Sequence, residues 1–260
     1  MSFTVDKWYF DLVTDDGTAV VGYQLRVRWL GIDLPLAARL IVSADGQRHE
    51  RSSYGDPSWP RLEQPRLRWD AASLDLHGEW CAIDGAVART LLSSPAGRLD
   101  WSCLAPRARA SVTVESRRYE GLGYAEHLQL TLPPWTLPFT TLRWGRHLSD
   151  QHTLIWIERD GAEHLRDIWL DGRPEPAAHV ESHGVAGLSG GRSLRWSDSR
   201  DLVRRSVGDA IAAVAPALAR QVGGRLAAMH EHKQLSPSSL VDEDGRRLDA
   251  GWTIHEEVTW

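Results

Sequence analysis

The chain has 260 residues, a length suited to one large domain or two smaller ones. Its 42% hydrophobic and 25% charged residues exclude a disordered chain, a collagen-like fibre and a coiled coil. The net charge is −5 and every basic stretch is interrupted by acidic or apolar residues, which excludes a nucleic-acid partner. No window approaches the roughly 18 consecutive apolar residues of a spanning helix, so membrane contact is at most peripheral. The start, Met1 to Trp8, lacks the basic and apolar segments of a signal peptide, and a cytoplasmic location is expected. Two cysteines, Cys81 and Cys103, make neither a disulfide framework nor a four-thiolate metal site and are expected in the core. Trp supplies 13 aromatic side chains against five Tyr and three Phe. Such rings either fill a sheet protein's interior or line a cavity for a flat apolar ligand. The sequence sets no oligomeric state.

In chain order, residues Trp8 to Val13 and Val20 to Trp29 alternate with period two and are joined through Asp15-Asp16-Gly17, which predicts a hairpin. Further strands are predicted at Arg39–Ser43, Arg66–Asp70, Ser73–Leu76, Arg98–Cys103 and Arg107–Glu115. The Pro-rich link at residues 132–138 suggests a boundary, giving domains 1–135 and 136–260. Strands follow at Thr141–Leu148, Thr153–Arg159, His164–Leu170, Ser193–Ser197, Leu226–Gln234 and Gly251–Trp260. The Ala-rich stretch from Asp209 to Leu226 predicts a short helix from about Pro216, stopped by Gly223-Gly224. The expected class is all-β, two barrel-like halves with one helix in the C-terminal half. The halves show no close sequence repeat.

The segment Gly121 to Leu128 sets a phenol, a carboxyl and an imidazole side by side at Tyr124, Glu126 and His127. On a strand Tyr124 and Glu126 share one face and His127 takes the other. In an apolar, Trp-lined cavity desolvation would favour the neutral acid, the condition for donating a proton near neutral pH. The bland reading places Glu126 in solvent and Tyr124 in the core. Downstream, Trp144 and Arg146 share a face. Arg146 would pair with Glu126 or another carboxylate, or hold an anionic substrate group, and Trp156 would extend the wall or pack in the core. His230-Glu231-His232, with His255-Glu256-Glu257, offers imidazoles and carboxylates of the kind that bind zinc or iron, but the strong metal spacings are absent. Serine-elbow, phosphate-loop and dinucleotide signatures are also absent.

Trp8-Tyr9-Phe10-Asp11, Gly123-Tyr124-Ala125-Glu126-His127, Leu137-Pro138, Trp144-Gly145-Arg146, Gly251-Trp252 and Glu257 to Trp260 occur in this order. Together they resemble the lipocalin-like hydroxyneurosporene synthase family, the carotenoid hydratases. The resemblance implies two lipocalin-like (calycin) β-barrels with a cavity at or near their junction. It also implies cofactor-independent hydration or cyclisation of an unsaturated hydrophobic molecule. The family's Gly-Tyr-x-acid-His segment falls on Gly123, Tyr124, Glu126 and His127. The acid is commonly Asp, and Glu126 is one methylene longer. Apolar Leu128 stands where a polar residue is expected, and the chain is shorter than typical carotenoid hydratases. A smaller polyene or polyketide-like substrate is therefore expected.

Glu126 is then the expected acid, with Tyr124 and His127 orienting it or the attacking group. Trp144, Trp156 and Trp8 would stabilise developing positive charge, and Arg146 would contact the substrate. No cofactor or metal is expected. The alternative is a lipocalin-type carrier, which needs only the apolar wall.

Overall fold

The computed structural model describes residues 3–55, 58–209 and 228–260. The chain divides into two compact units, Met1–Pro133 and Pro134–Trp260. Each contains a ten-stranded sheet whose pairings are antiparallel, and the fold is that of two β-barrel halves with little helix.

The first unit contains β1 (Thr4–Val13), β2 (Ala19–Trp29), β3 (Ile32–Val42), β4 (Arg48–Tyr54), β5 (Arg61–Glu63), β6 (Arg66–Ala71), β7 (Leu76–Ala82), β8 (Val87–Ser94), β9 (Gly97–Val114) and β10 (Arg117–Leu130). Their order is β4-β3-β2-β1-β10-β9-β7-β6-β5, with β8 also paired to β9. The second contains β11 (Phe139–Ser149), β12 (Thr153–Gly161), β13 (Leu165–Leu170), β14 (Arg173–Pro174), β15 (His179–Glu181), β16 (Gly184–Leu188), β17 (Arg192–Trp196), β18 (Arg200–Ser206), β19 (His230–Val241) and β20 (Arg247–Thr259). Its order is β14-β13-β12-β11-β20-β19-β17-β16-β15, with β18 on β19. Adding ten to each strand number of the first unit reproduces the second. The halves therefore repeat one topology that their sequences do not display.

The predicted strands at 98–103 and 107–115 fall largely within one long strand, β9. The prediction at Ser73–Leu76 fails. Ala72–Leu74 is a 3-10 turn ended by Asp75, whose φ of 49° is left-handed and whose N–H bonds the Ala72 carbonyl. Buried Leu74 seats the turn against the core, and tertiary burial overrides the local alternation. Of the cysteines, Cys103 is buried but Cys81 is only half-buried. The helix expected around Pro216 lies outside the described residues, although residues 207–209 are helical. Among the described residues no helix is long and apolar enough to cross a membrane.

Each unit buries one sheet face in its own core. In the first, Phe10 stacks on Trp69 at 5.0 Å and packs against Trp80 at 4.8 Å, with Leu12, Ala125 and Val112 in the same cluster. In the second, Trp156 stacks on Trp196 at 5.6 Å among Leu154, Ile168 and Leu194. Cross-strand neighbours are matched by size. Phe10 faces Gly22 across β1 and β2, whereas Gly145 faces Trp156 across β11 and β12. A Cβ on Gly145 would lie 2.1 Å from Trp156 Cζ2. Gly145→Ala is therefore expected to lower stability by about 1–3 kcal/mol through overpacking. Trp156→Phe in the same chain should recover part of the loss, read as coupling in urea unfolding.

Next to this core sits a neutral histidine network. His147 is fully buried, with Nδ1 2.8 Å from Ser238 Oγ, which itself accepts from Thr253 Oγ1 at 2.8 Å. Burial, reinforced by the Arg146 charge, lowers its pKa to about 3. His255, against Trp196 and 3.1 Å from Ser236 Oγ, is lowered to about 4 by burial and the nearby His232 and His183. An unfolded histidine titrates near 6.5, so between that value and the folded values the unfolded chain binds more protons. Stability is therefore full above pH 6.5 and falls as pH drops toward 4 and then 3. The slope is roughly 1.4 kcal/mol per pH unit for each group. Urea midpoints measured from pH 7 to pH 5 should fall steeply for wild type and less steeply for His147→Asn.

Candidate functional site

Tyr124 and Glu126 lie on β10 between β1 and β9, and the pairing fixes their neighbours. Glu126 stands opposite Tyr9 on one side and Cys103 on the other, and Tyr124 stands opposite Asp11. Because paired side chains share a face, Tyr9, Asp11, Cys103, Tyr124 and Glu126 form one surface. That surface lies opposite the face carrying the Phe10 core.

The pairing of β10 with β9 slips between Gly123 and Ala125 and again between Ala125 and Glu126. The extra residues belong to β9, around Pro106, which has no N–H to give to the ladder and fits a bulge. The slip brings Cys103 opposite Glu126 and Trp101 opposite Leu128, the next position on the same face.

Tyr124 donates its phenol hydrogen to Glu126 Oε2 at 2.6 Å, and Trp101 donates its indole N–H to the same oxygen at 2.5 Å. Glu126 is 8% exposed, while Tyr124, Trp101 and Cys103 are buried. Burial pushes the Tyr124 phenol and the Cys103 thiol well above their ordinary values, and the charge of Glu126 adds to both shifts. Both stay protonated at neutral pH. Tyr124 is thus a fixed donor, and the carboxyls on this surface are Glu126 and the buried Asp11.

Indole partners separate this cluster from packing. A buried indole N–H needs an acceptor. Trp69 and Trp80 give theirs to the backbone carbonyls of Ser58 and Asp11. Trp101 gives its N–H to a carboxyl side chain.

The other candidates separate into distinct places. His127 occupies the opposite face of β10, with Nε2 2.5 Å from Asp6 Oδ1 and its ring 4.5 Å from Trp8. Trp8 itself stacks on Phe10 at 6.0 Å, at the edge of the core. In the second unit Trp144 and Arg146 share one face of β11. Arg146, fully buried, donates to the Trp252 carbonyl at 2.9 Å. Trp156 lies in the core cluster on the other face. For the metal reading, His232 pairs with Asp201 at 2.7 Å, and His255 and Glu256 project to opposite faces of β20. Among the described residues no group of three or more His, Cys, Asp or Glu could hold a metal ion.

Trp101 and Cys103 were not singled out from sequence. Their signal was an i, i+2 aromatic and thiol pair on a strand already predicted, readable only once its partner strand and register were known.

These features define the class: an all-β protein of two barrel halves with a buried, hydrogen-bonded carboxyl on β10. No family model and no curated protein sequence matches the chain. Solved structures do. CghA in complex with Sch210972 is 12% identical with a TM-score of 0.53, covering 99% of this chain and 88% of that one. An AttH candidate (NE1406) from Nitrosomonas europaea is 11% identical with a TM-score of 0.60, covering 99% and 92%. Kievitone hydratase from Nectria haematococca is 11% identical with a TM-score of 0.55, covering 98% and 88%. At this identity the likeness establishes the fold, which agrees with the fold expected from the carotenoid-hydratase resemblance.

If Tyr124 and Trp101 both hold Glu126, removing either donor leaves a buried carboxyl short of a partner. Tyr124→Phe and Trp101→Phe are each expected to cost about 1–3 kcal/mol in urea unfolding at pH 7. The double variant should depart from additivity, because both donors share one oxygen.

Proposed function

We propose that the protein is a cofactor-independent enzyme that hydrates or cyclises an unsaturated hydrophobic small molecule, isoprenoid or polyketide-like, with Glu126 as the proton carrier. The observation that supports this most is the convergence of Tyr124 and Trp101 on Oε2 of a nearly buried carboxyl. Two donors on Oε2 fix the orientation of the carboxyl that carries and delivers the proton. A carboxyl in such surroundings suits general acid catalysis of an uncharged alkene. That one solved neighbour is named a hydratase agrees with the reading.

In the proposed step the alkene π bond takes the proton from the Glu126 carboxyl, leaving a carbocation and the Glu126 carboxylate. In hydration, water adds to the cation and returns one proton to Glu126, so the product is heavier by one water and the acid is regenerated. In cyclisation, an internal π bond or hydroxyl closes on the cation and loses a proton to Glu126, so the product is an isomer. Tyr124 and Trp101 keep the carboxyl in one orientation through both halves of the cycle. Their hydrogen bonds to the nascent carboxylate strengthen as its charge develops. His127 and Trp8, on the opposite face, take no part in this transfer.

The test is incubation of wild type and Glu126→Gln with apolar extracts of the source organism, with products compared by chromatography and mass spectrometry. A species heavier by one water identifies hydration, and an isomer identifies cyclisation. Either should fall about 10²–10⁴-fold in the variant, the usual contribution of a general acid. Compounds retained unchanged and equally by both proteins would make this a carrier and sink the catalytic reading.

A further inference from the structure

The two units hold the same short turn by different means. In the first, guanidinium groups hold the 3-10 turn Ala72–Leu74 between β6 and β7. Arg39 of β3 donates to the Leu74 carbonyl at 2.9 Å, and Arg51 of β4 pairs with Asp75. In the second, the corresponding turn Ser189–Gly191 lies between β16 and β17, and a carboxylate holds it. Glu175 accepts the Ser189 N–H at 2.8 Å on one oxygen and the Ser189 hydroxyl at 2.7 Å on the other. The difference begins in the preceding hairpin. β4 runs seven residues, whereas β14 ends after two, at Pro174, which has no N–H to extend the ladder. The next residue, Glu175, is buried.

Beside this shortened strand, between the β13–β14 hairpin and the turn, is a cavity of about 300 Å³ lined by Leu170, Asp171, Arg173, Glu175, Ser189 and Arg192. That volume is at the small end of the range for small-molecule sites. The acceptors on its wall are already engaged. Asp171 accepts the Thr153 N–H at 2.9 Å on one oxygen and has His152 Nδ1 2.9 Å from the other. Both Glu175 oxygens are held by Ser189. Donors remain in surplus. Arg192 donates from Nε to the Ser189 carbonyl at 2.8 Å and from Nη2 to the Ser189 hydroxyl at 3.1 Å, which leaves Nη1. Arg173 is exposed, and its guanidinium makes no hydrogen bond or ion pair among the described residues.

We propose that this cavity binds a small carboxylate. The planar Arg173 fork pairs with the two carboxylate oxygens, Arg192 Nη1 adds a donor, and Leu170 meets the apolar body of the ligand. Asp171 and Glu175 on the same wall select a singly charged ligand over a phosphate dianion, because like charges repel the dianion more. The site lies wholly in the second unit and uses no residue of the Glu126 cluster, so it does not depend on the reading of Glu126 as an acid.

The experiment titrates the full-length protein at pH 7 and low salt with benzoate, with its neutral counterpart benzamide and with inorganic phosphate, by calorimetry. Saturable benzoate binding at least tenfold tighter than that of either other probe is expected. Arg173→Gln should weaken it tenfold or more, the loss of a charge-assisted pair, while Arg173→Lys retains part of it and Glu126→Gln leaves it unchanged. Because Arg173 is exposed and unpaired, its variants should keep the wild-type urea midpoint. Benzamide or phosphate binding as tightly as benzoate, no saturable benzoate binding by wild type, or unchanged affinity in Arg173→Gln would overturn the proposal. Loss of benzoate binding in Glu126→Gln would place the ligand in the other unit and overturn it as well.

Discussion

The pairing of the first strand of each unit with its last strand sets everything else in place. β1 bonds to β10 and β11 to β20, each over nine or more residues in register. Segments more than a hundred residues apart in sequence thereby become neighbours on a rigid ladder, and period two then assigns every side chain to one face or the other. A shift of one residue would send Glu126 to the Phe10 core and His127 to the face of Tyr9. Trp69 over Gly22 and Trp156 over Gly145 resist that shift, because each large ring occupies the space where a Cβ would stand.

Alternation made much of this legible. The period-two runs through Val21 to Trp29 and Ala108 to Val114 announced strands, and Asp15-Asp16-Gly17 announced the first hairpin, where Thr14 N–H bonds the Thr18 carbonyl. Tyr124 and Glu126 on one face, with His127 on the other, also followed from spacing alone. Long-range register was not legible. Counting back from the hairpin between β9 and β10 places Ala105 opposite Glu126, whereas the bulge around Pro106 moves the partner to Cys103. That displacement brings Trp101 to the carboxyl, and no local pattern carries it. The turn at Ala72–Leu74 escaped for a related reason, since a residue buried by distant strands overrode its own alternation.

The abundance of tryptophan has two physical uses here. Trp69 and Trp80 fill space in the first core, and their N–H groups are satisfied by backbone carbonyls, which any sequence supplies. Trp101 is satisfied by a side chain, so its position depends on Glu126 and the position of Glu126 depends on it. Burying the carboxyl is costly unless donors meet it, and burying the indole N–H is costly unless an acceptor meets it. Each group removes the penalty of the other, and Tyr124 adds a second donor whose phenol remains protonated because it is itself buried. The arrangement is rigid on a sheet, which is what a proton donor needs if its reach to a bound alkene is to be constant.

The repeat places a buried carboxyl, Glu126, and a part-buried one, Glu256, at equivalent points of equivalent strands. Both sit five residues past a glycine that lets the last strand of the unit approach the first. In one half a phenol and an indole, both neutral donors, hold the carboxyl, and the Cys103 thiol beside it donates to the Ala125 carbonyl. In the other the neighbour is the Lys233 amine at 3.0 Å. Two copies of one scaffold thus hold differently partnered carboxyls, and the residue across the ladder differs, Cys103 in one and Lys233 in the other.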